Sequence, residues 1–309
     1  MTAPHPARLR HLDAETVQRV LHLMDAVSDA DGDYPLSEHV VLHLRHGGDA
    51  DVRHLLLCDG DEVVGYAHVD VTDPVAGSSA EMAVHPEHRR RGLGRALVEA
   101  ALGESPDGRL RLWAHGEHPA ATALARGLGF ERVRVLFQLR RSLFTPVPAP
   151  ELPDGVRVRP FEVGRDEASW LRVNNRAFAD HPDQGRWTLR DVELREAEPW
   201  FDPAGFLLAE RRSDGALLGF HWTKVHGADP QQNGHGHEPI GEVYVLGVDP
   251  DARGLRLGPA LTLAGLRHLR AQGLPVAMLY VDESNTRAVR LYKGLGFTHW
   301  STDICFARA

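Results

Sequence analysis

Cysteine is nearly absent from this chain of 309 residues, which contains two, Cys58 and Cys305. Two cysteines cannot build a disulfide framework or a cysteine-rich zinc site, so both are excluded. No apolar run approaches the roughly 18 to 20 residues that cross a bilayer, and the N-terminal residues lack the apolar core of a secretory signal. We therefore expect a cytoplasmic protein with no membrane partner.

Basic residues are also too few for a protein that binds nucleic acids non-specifically. The chain has 35 lysines and arginines against 43 aspartates and glutamates, and its formal net charge is −8. Non-specific nucleic-acid binding needs a basic face for the phosphates, so the composition argues against a nucleic-acid partner. Apolar residues make up 42% of a chain that is about twice as long as a common single domain. We expect two domains with two cores, in a protein that acts as a monomer.

A proline-rich segment divides the chain into two halves of similar length. Residues 145–155 read TPVPAPELPDG and have neither a helical nor a strand period, which is typical of a linker. We therefore predict an N-terminal domain over residues 1–144, a linker over 145–155 and a C-terminal domain over 156–309.

The two halves contain the same motifs in the same order. Val84–Pro86 matches Val248–Pro250 at an offset of 164, and Gly129–Phe130 matches Gly296–Phe297 at an offset of 167. In each half, alternating strands lead into the Val-x-Pro motif, a helix follows it, and a further strand precedes the Gly-Phe pair. A nearly constant offset across several motifs indicates a tandem duplication.

A basic turn follows the Val-x-Pro motif and predicts an anion site. Residues 89–94 read RRRGLG and open a helix. Glycine permits a positive φ, the N–H groups of a helix start favour an anion, and arginine donates to phosphate oxygens. The alternative is a surface turn with solvated arginines. A similar turn occurs in the second half, which favours the anion site over this alternative. There Arg256 replaces the first glycine, so it must adopt the glycine's backbone or the loop must shift.

Val-x-Pro, then Arg-x-x-Gly-x-Gly, a helix and a late Leu-Gly-Phe together resemble the GCN5-related N-acetyltransferase family, across both halves. The resemblance implies an α/β fold of two tandem domains, each a mixed, mostly antiparallel sheet flanked by helices. It also implies acetyl-CoA as the acetyl donor, with up to one molecule for each domain. The turn would hold the pyrophosphate, and the preceding strand would pair with the pantetheine arm.

The same resemblance implies which residues line acetyl-CoA in each half. In the first half these are Met82, Ala83, Val84, Arg90, Arg91, Gly92, Leu93, Gly94 and Arg95. In the second half they are Leu246, Gly247, Val248, Arg253, Gly254, Leu255, Arg256, Leu257, Gly258, Pro259, Asn285, Thr286, Arg287, Ala288, Val289 and Arg290.

Longer segments resemble, within that family, the mycothiol acetyltransferases. These segments are residues 113–116 (WAHG), 171–188 (LRVNNRAFADHPDQGRWT), 219–226 (GFHWTKVH) and 241–250 (GEVYVLGVDP). The resemblance implies acetyl transfer from acetyl-CoA to the cysteinyl amine of desacetylmycothiol, a small thiol-sugar. It implies that this substrate contacts Glu38, Asp183, Lys224, Glu242 and Tyr280.

Acid–base residues distinguish the two halves. Counted from the shared motifs, the positions of Ser78, Ala125 and His118 in the first half hold Glu242, Tyr292 and Asn285 in the second. Acetyl transfer to an amine benefits from a general base and from a proton donor for the leaving thiolate. We therefore predict that the second half is catalytic, and that the first binds acetyl-CoA without turnover or is structural. The resemblance assigns the general base to Glu242 and the general acid to Tyr292.

Two other functions remain open. One is N-acetylation of another small-molecule or peptide amine, because a fold does not fix a substrate. The other is a non-catalytic acetyl-CoA-binding protein, which the altered turn at Arg256 favours but which would need neither Glu242 nor Tyr292. The best histidine cluster, His235 and His237 with His226 nearby, has no third ligand at a firm spacing, so we expect no metal.

Overall fold

The computed structural model describes residues 5–46, 52–72, 77–179, 185, 187–226 and 239–308. The chain forms two compact units. Unit 1 consists of Met1–Phe137, Asp282–Ser284 and Ser301–Ala309, and unit 2 of Gln138–Val281 and Asn285–Trp300. The division into domains at residues 145–155 stays a prediction, although that segment contains neither helix nor strand.

The same series of elements occurs twice along the chain. The first series is β1 (Ala7–Leu9), α1 (Ala14–Asp31), α2 (Glu38–His46), β2 (Val52–Asp59), β3 (Glu62–Asp70), β4 (Ser78–Val84), α3 (Leu93–Glu104), β5 (Leu110–Ala114), α4 (Pro119–Gly127) and β6 (Glu131–Ser142). The second is β7 (Val156–Pro160), α5 (Glu167–Ala177), α6 (Leu189–Glu196), β8 (Phe206–Arg211), β9 (Leu217–His226), β10 (Ile240–Val248), α7 (Leu257–Ala271), β11 (Val276–Asp282), α8 (Thr286–Gly294) and β12 (Thr298–Ala307). The predicted duplication is confirmed.

Each unit contains a mixed, mostly antiparallel sheet, as predicted. In unit 1 the strand order is β1-β2-β3-β4-β5-β12, and only β4 and β5 run parallel among the pairs with a described register. In unit 2 the order is β6-β11-β10-β9-β8-β7, where β10 and β11 run parallel. Unit 1 thus completes its sheet with the last strand of the chain.

Helices cover both faces of each sheet because their apolar residues form one stripe. In α1, Asp13 accepts the N–H of Thr16, Gly32 ends the helix at φ 82°, and the buried Val20, Met24 and Val27 recur at helical spacing. The α1 and α2 residues form one core on β2 and β3, and α3 packs in another on the opposite face. None of the described helices is both long and apolar enough to cross a bilayer.

The corresponding layers of unit 2 frame the candidate site. Aromatic residues of α5, β8 and β9 fill the core on one face, with Trp170 and Trp222 fully buried. The helix α7 packs on the other face through Leu257 and Leu261. The α5 face also carries the outer ends of β9 and β10, where polar residues replace the aromatic core.

Candidate active site

A bulge in β10 changes the correspondence between the two halves. The β9–β10 register shifts between Val243 and Val245, whereas the β3–β4 ladder runs without a shift. Glu242 lies opposite Lys224, and counting along the uninterrupted strands β3 and β9 makes Ser79 the equivalent of Glu242. Counting back from the Val-x-Pro motif gives Ser78 instead. Neither serine is a useful base, so the difference between the halves remains.

The two parallel strands of unit 2 part directly after Glu242. The β10–β11 register contains the pairs Gly241–Ala277 and Glu242–Met278, so the β11 side of Val243–Val248 has no strand pairing. Backbone groups along such an edge can pair with an extended ligand. The region between β10 and β11 therefore offers an edge for an extended arm, with a carboxylate at its inner end.

Glu242 is a buried carboxylate with one hydrogen-bond partner among the described residues. The residue is 7% exposed, and its Oε2 lies 2.6 Å from Nε2 of His226, the last residue of β9. Lys224 is the direct cross-strand neighbour of Glu242, and His226 is the diagonal one, so all three side chains share a face of the sheet.

Aromatic rings surround Lys224 on the same face. Its ammonium lies 4.3 Å from the ring centre of Trp200 and 5.5 Å from that of Tyr244, the bulge residue. Both distances are within the range of cation–π attraction. Arg195, itself buried, donates from Nε to the Tyr244 hydroxyl at 2.6 Å, which fixes that ring.

Tyr280 joins this face from β11. Met278 pairs with Glu242, and Tyr280 follows two residues later, so the two side chains lie on one face. The Tyr280 hydroxyl accepts a hydrogen bond from Nε2 of Gln138 at 2.7 Å, and the residue is 44% exposed. Of the predicted substrate residues, unit 2 therefore brings together Glu242, Lys224 and Tyr280.

The other two predicted substrate residues are placed differently. Asp183 lies outside the described residues. Glu38 is the first residue of α2 in unit 1. The histidines His235 and His237 also lie outside the described residues, while His226 is bound to Glu242.

Tyr292 is a buried phenol on α8. Its ring meets Phe297 edge to face at 5.7 Å between centroids, and burial raises the pKa of Tyr292 to about 12. The hydroxyl therefore keeps its proton at neutral pH and can act only as an acid. Asn285 caps the same helix by accepting the N–H of Ala288. In unit 1 the corresponding helix α4 carries buried Ala125 in place of the phenol.

The basic turns of the two units have the same backbone conformation, but arginine and glycine have exchanged places at its two positions of positive φ. In unit 1, Arg90 and Gly92 have φ values of 66° and 85°. In unit 2, Gly254 and Arg256 occupy the same two positions with φ values of 91° and 56°. Arg256 thus adopts the left-handed conformation directly before α7, so the loop keeps its shape without the expected glycine.

The ion pair between the turn and the neighbouring helix also has its charges reversed between the two units. In unit 1, Arg89 donates from both terminal nitrogens to the carboxylate of Asp31, each at 2.8 Å. In unit 2, Arg176 of α5 instead pairs with Asp249 and Asp251 of the turn. Arg253, the counterpart of Arg89, therefore faces no acidic partner from α5 among the described residues.

A charged cluster lies at the point in unit 1 where β4 and β5 end their pairing. Glu81, 8% exposed, accepts the N–H and hydroxyl of Ser37 at 2.5 and 2.7 Å and lies 3.3 Å from Nε2 of His115. His115 Nδ1 lies 3.0 Å from Asp303, which β12 brings to this place.

Proton affinities follow from this cluster. Burial alone would lower the pKa of His115, but the hydrogen bonds to Asp303 and Glu81 outweigh it and raise that pKa to about 10. Burial would raise the pKa of Glu81, but His115 and Ser37 hold it at about 2. The cluster is therefore a protonated imidazole between two carboxylates at neutral pH.

The sequence reasoning missed the aromatic and basic residues around Lys224. Trp200 and Arg195 lie far from the shared motifs, so nothing in the spacing pointed to them. His226 had a signal, because it follows Lys224 by two residues on a predicted strand and so shares its face. The bulge that makes Tyr244 a neighbour of Lys224 had no sequence signal.

Comparisons with known proteins identify the family and the fold of this chain. The acetyltransferase (GNAT) family matches residues 169–297, and an acetyltransferase (GNAT) domain matches residues 50–132. A mycothiol acetyltransferase of Acidothermus cellulolyticus is 59% identical over 298 residues, which cover 94% of this chain and 90% of that protein. The chain belongs to the mycothiol acetyltransferase family. It is therefore an N-acetyltransferase with two tandem GNAT domains, as predicted.

Two solved structures show the same fold over nearly the whole chain. A GCN5-related N-acetyltransferase from Sphaerobacter thermophilus is 26% identical with a TM-score of 0.69, covering 98% of this chain and 95% of that one. A tandem GNAT protein from the clavulanic acid biosynthesis pathway is 21% identical with a TM-score of 0.73, covering 98% and 97%. The second likeness concerns the fold alone. Membership in the mycothiol acetyltransferase family rests on the sequence relatives.

Proposed function

We propose that this protein transfers the acetyl group of acetyl-CoA to the cysteinyl amine of desacetylmycothiol, and that unit 2 performs the reaction. The observation that carries the proposal is the position of Glu242 where β10 and β11 part. A pantetheine arm that pairs with Val243–Val248 would bring its thioester to this carboxylate. The name of the relatives supplies the acceptor, and the geometry supports the site.

The proposed chemistry uses one base and one acid. An α-amino group ordinarily titrates at about 7.7 to 8.0, so part of the acceptor is protonated at neutral pH and must lose a proton. Glu242 takes this proton, directly or through water, and the amine nitrogen attacks the thioester carbon. A C–N bond forms, the C–S bond breaks, and Tyr292 protonates the leaving sulfur. As the amide forms, the nitrogen loses a second proton, which returns to the Tyr292 oxygen through solvent, and Glu242 releases the first proton to solvent. Each turnover releases CoA and one net proton.

Acceptor binding is assigned to polar residues on the Glu242 face. Lys224 and Tyr280 would bind hydroxyl groups of the sugar. An ammonium donates hydrogen bonds to hydroxyl oxygens, and a phenol can both donate to and accept from a hydroxyl group. Glu38 and Asp183 are proposed as further contacts on the family resemblance. The Trp200 and Tyr244 rings hold the Lys224 side chain in place, which lowers the entropy lost on binding.

Acetyl-CoA binding is proposed for both units, with one molecule in each. In unit 2, Leu246–Val248, Arg253–Pro259 and Asn285–Arg290 would line it, and in unit 1 Met82–Val84 and Arg90–Arg95 would do so. The turn before each helix presents N–H groups and arginines to the pyrophosphate. Unit 1 would bind the donor without turning it over. We further propose that the enzyme acts as a monomer in the cytoplasm.

The test is acetyl transfer by the purified protein to a panel of amines, with products identified by mass. The panel contains desacetylmycothiol, simple cysteinyl amides and other small amines, and mass detection avoids interference from the acceptor's own thiol. A strong preference in kcat/KM for desacetylmycothiol is expected. A comparable rate on simple cysteinyl amides would move the proposal to a broader amine acetyltransferase. Bound acetyl-CoA with no turnover on any amine would refute it.

A further inference from the structure

The histidine next to Glu242 has no assigned role in acetyl transfer. His226 ends β9, and its Nε2 lies 2.6 Å from Oε2 of Glu242. An ionised carboxylate only accepts hydrogen bonds, so Nε2 carries the hydrogen and donates it. A hydrogen bond to an ionised carboxylate is charge-assisted, and such bonds are stronger than those between neutral groups.

The bond restricts which carboxylate oxygen can act. Oε2 is held by His226, so the second oxygen, Oε1, is the one left to accept a proton from the acceptor amine. A carboxylate turns freely about its terminal bond unless a partner holds it. Diagonal pairing across β9 and β10 keeps His226 next to Glu242, and the neighbouring Lys224 occupies the direct cross-strand position.

The exposed fractions of the two side chains indicate that His226 holds Glu242 from one side. The Glu242 side chain is 9% exposed and that of His226 is 33% exposed. The carboxylate therefore lies inside the site, and the imidazole approaches it from the outer end of the strand. Unit 1 has no equivalent pair, because Thr72 follows β3 at the position that corresponds to His226.

We propose that His226 is a positioning residue for the general base: its Nε2–H fixes the Glu242 carboxylate so that Oε1 meets the acceptor amine. This inference rests on the proposed function. His226 does not touch either substrate in this scheme, and it takes no proton. Misplacement of a reacting group by a small distance costs turnover and not donor affinity.

The first test compares His226→Leu with His226→Gln. Leucine has a similar size and no donor, whereas the glutamine amide nitrogen can reach the place of Nε2 and donate the same bond. His226→Leu is expected to lower kcat on desacetylmycothiol about tenfold with the KM for acetyl-CoA unchanged, because a hydrogen bond to a charged group is lost. His226→Gln is expected to recover most of kcat. His299→Leu, an exposed residue of β12, controls for the change of residue type.

A double-mutant cycle separates positioning from a general structural effect. On a Glu242→Gln background, His226→Leu is expected to have little further effect on the remaining rate, because its role acts through the carboxylate. An equal loss on both backgrounds would overturn the proposal, and so would a His226→Leu enzyme with wild-type kcat. Thermal unfolding of each variant shows whether it is folded.

A measurement without substrate keeps this inference separate from the proposed function. In the protein labelled with nitrogen-15 at its 19 histidines, the His226 signals are assigned by their loss in His226→Gln. A proton on Nε2 whose resonance moves in Glu242→Gln supports the bond. An unprotonated Nε2 would overturn it. If the wild-type enzyme acetylated no amine, the proposed function would fail, while this spectrum would still decide whether Nε2 of His226 donates to Glu242.

Discussion

In each unit the two parallel strands separate part-way along their length and leave a cleft between them, and the length of unpaired strand beside the cleft differs between the units. In unit 1, β4 stays paired with β5 over four residues, up to Glu81 and Trp113, which leaves Met82–Val84 unpaired on that side. In unit 2, β10 leaves β11 after Glu242, so the longer segment Val243–Val248 is unpaired. The unit 2 cleft therefore extends further from the basic turn, and a donor in it could reach deeper into the sheet.

The carboxylates at the two inner ends have different chemical capacities. Glu81 is surrounded by donors and its pKa is held at about 2, which makes it too weak a base to accept a proton from an ammonium group. Glu242 binds His226 through one oxygen. The comparison teaches that a carboxylate near the correct place is not sufficient. Its hydrogen-bond partners decide whether it can act as a base.

Exchange of each glutamate for glutamine is the strongest test of this comparison. Glu242→Gln is expected to lower kcat about 100-fold to 10,000-fold, the usual range for the loss of a general base. Glu81→Gln is expected to retain kcat in the folded protein. The measurement is steady-state acetylation of desacetylmycothiol with product detected by mass.

The matched pair also excludes indirect effects. Both substitutions remove a buried carboxylate charge and keep the side-chain shape, and unfolding by urea reports how much of each variant is folded. Loss of kcat in folded Glu81→Gln, equal to that in Glu242→Gln, would contradict the proposed division between the units.

The next largest effect is expected on the stability of unit 1. His115→Gln leaves Glu81 and Asp303 buried without a cation between them, which typically costs about 3 to 5 kcal/mol. The free energy of unfolding is measured in urea at pH 7. His118→Gln, at a half-buried position three residues away, is the matched control.

The pH dependence of that stability has a definite sign. The pKa of His115 is about 10 in the folded protein against an ordinary 6.5, so folding favours the protonated form. Its stabilisation is fully present below pH 6.5 and is lost as the pH rises towards 10. The wild-type protein should therefore lose more stability than His115→Gln over this interval. Parallel losses in the two proteins would show that His115 is not the titrating group.

Removal of the phenol should have a smaller effect on turnover. Tyr292→Phe is expected to lower kcat by about 100-fold, the lower end of the range for general acid–base catalysis, because leaving-group protonation is lost. Affinity for acetyl-CoA, measured by calorimetry, should be nearly unchanged. Tyr280→Phe is the comparison, since it should raise the KM for the acceptor and leave kcat nearly intact. An unchanged kcat in Tyr292→Phe would remove this hydroxyl from the mechanism.

The sequence predicted the duplication because the motifs repeat, and it predicted the fold because those motifs resemble the GCN5-related N-acetyltransferase family. Each half carries the Val-x-Pro motif, a basic turn and a Gly-Phe pair, and the duplication makes a chance match implausible. The same comparison singled out Glu242, because a carboxylate on an apolar strand has no counterpart six residues before Val84. Periodicity within a strand is a local property, so these features can be read without tertiary information.

The rest of the site depends on contacts that no local pattern contains. Asp303 reaches His115 because β12 pairs with β5, a long-range pairing between strands far apart in the chain. The bulge at Tyr244 shifts the alignment of the two halves by one residue, which sequence spacing cannot show. Trp200 meets Lys224 through the packing of the chain after α6 against β9.

The smallest expected effect concerns the exchanged turn residues. Arg90 and Arg256 both hold a left-handed backbone, which costs a non-glycine residue about 1 kcal/mol. Arg90→Gly and Arg256→Gly should therefore each raise stability by about 0.5 kcal/mol, after the extra flexibility of glycine in the unfolded chain is deducted. Thermal unfolding measures this gain.

Kinetics with acetyl-CoA then distinguish the two turns. Arg256 lies at the helix start of the proposed catalytic unit, so Arg256→Gly should also raise the KM for acetyl-CoA about threefold to tenfold through loss of a charged donor to phosphate. Arg90→Gly should leave that KM unchanged, because its turn belongs to the unit for which we propose no turnover of the donor. Equal changes in KM would mean that both turns serve one catalytic cycle, and an unchanged KM in both would mean that the left-handed arginines serve only the backbone.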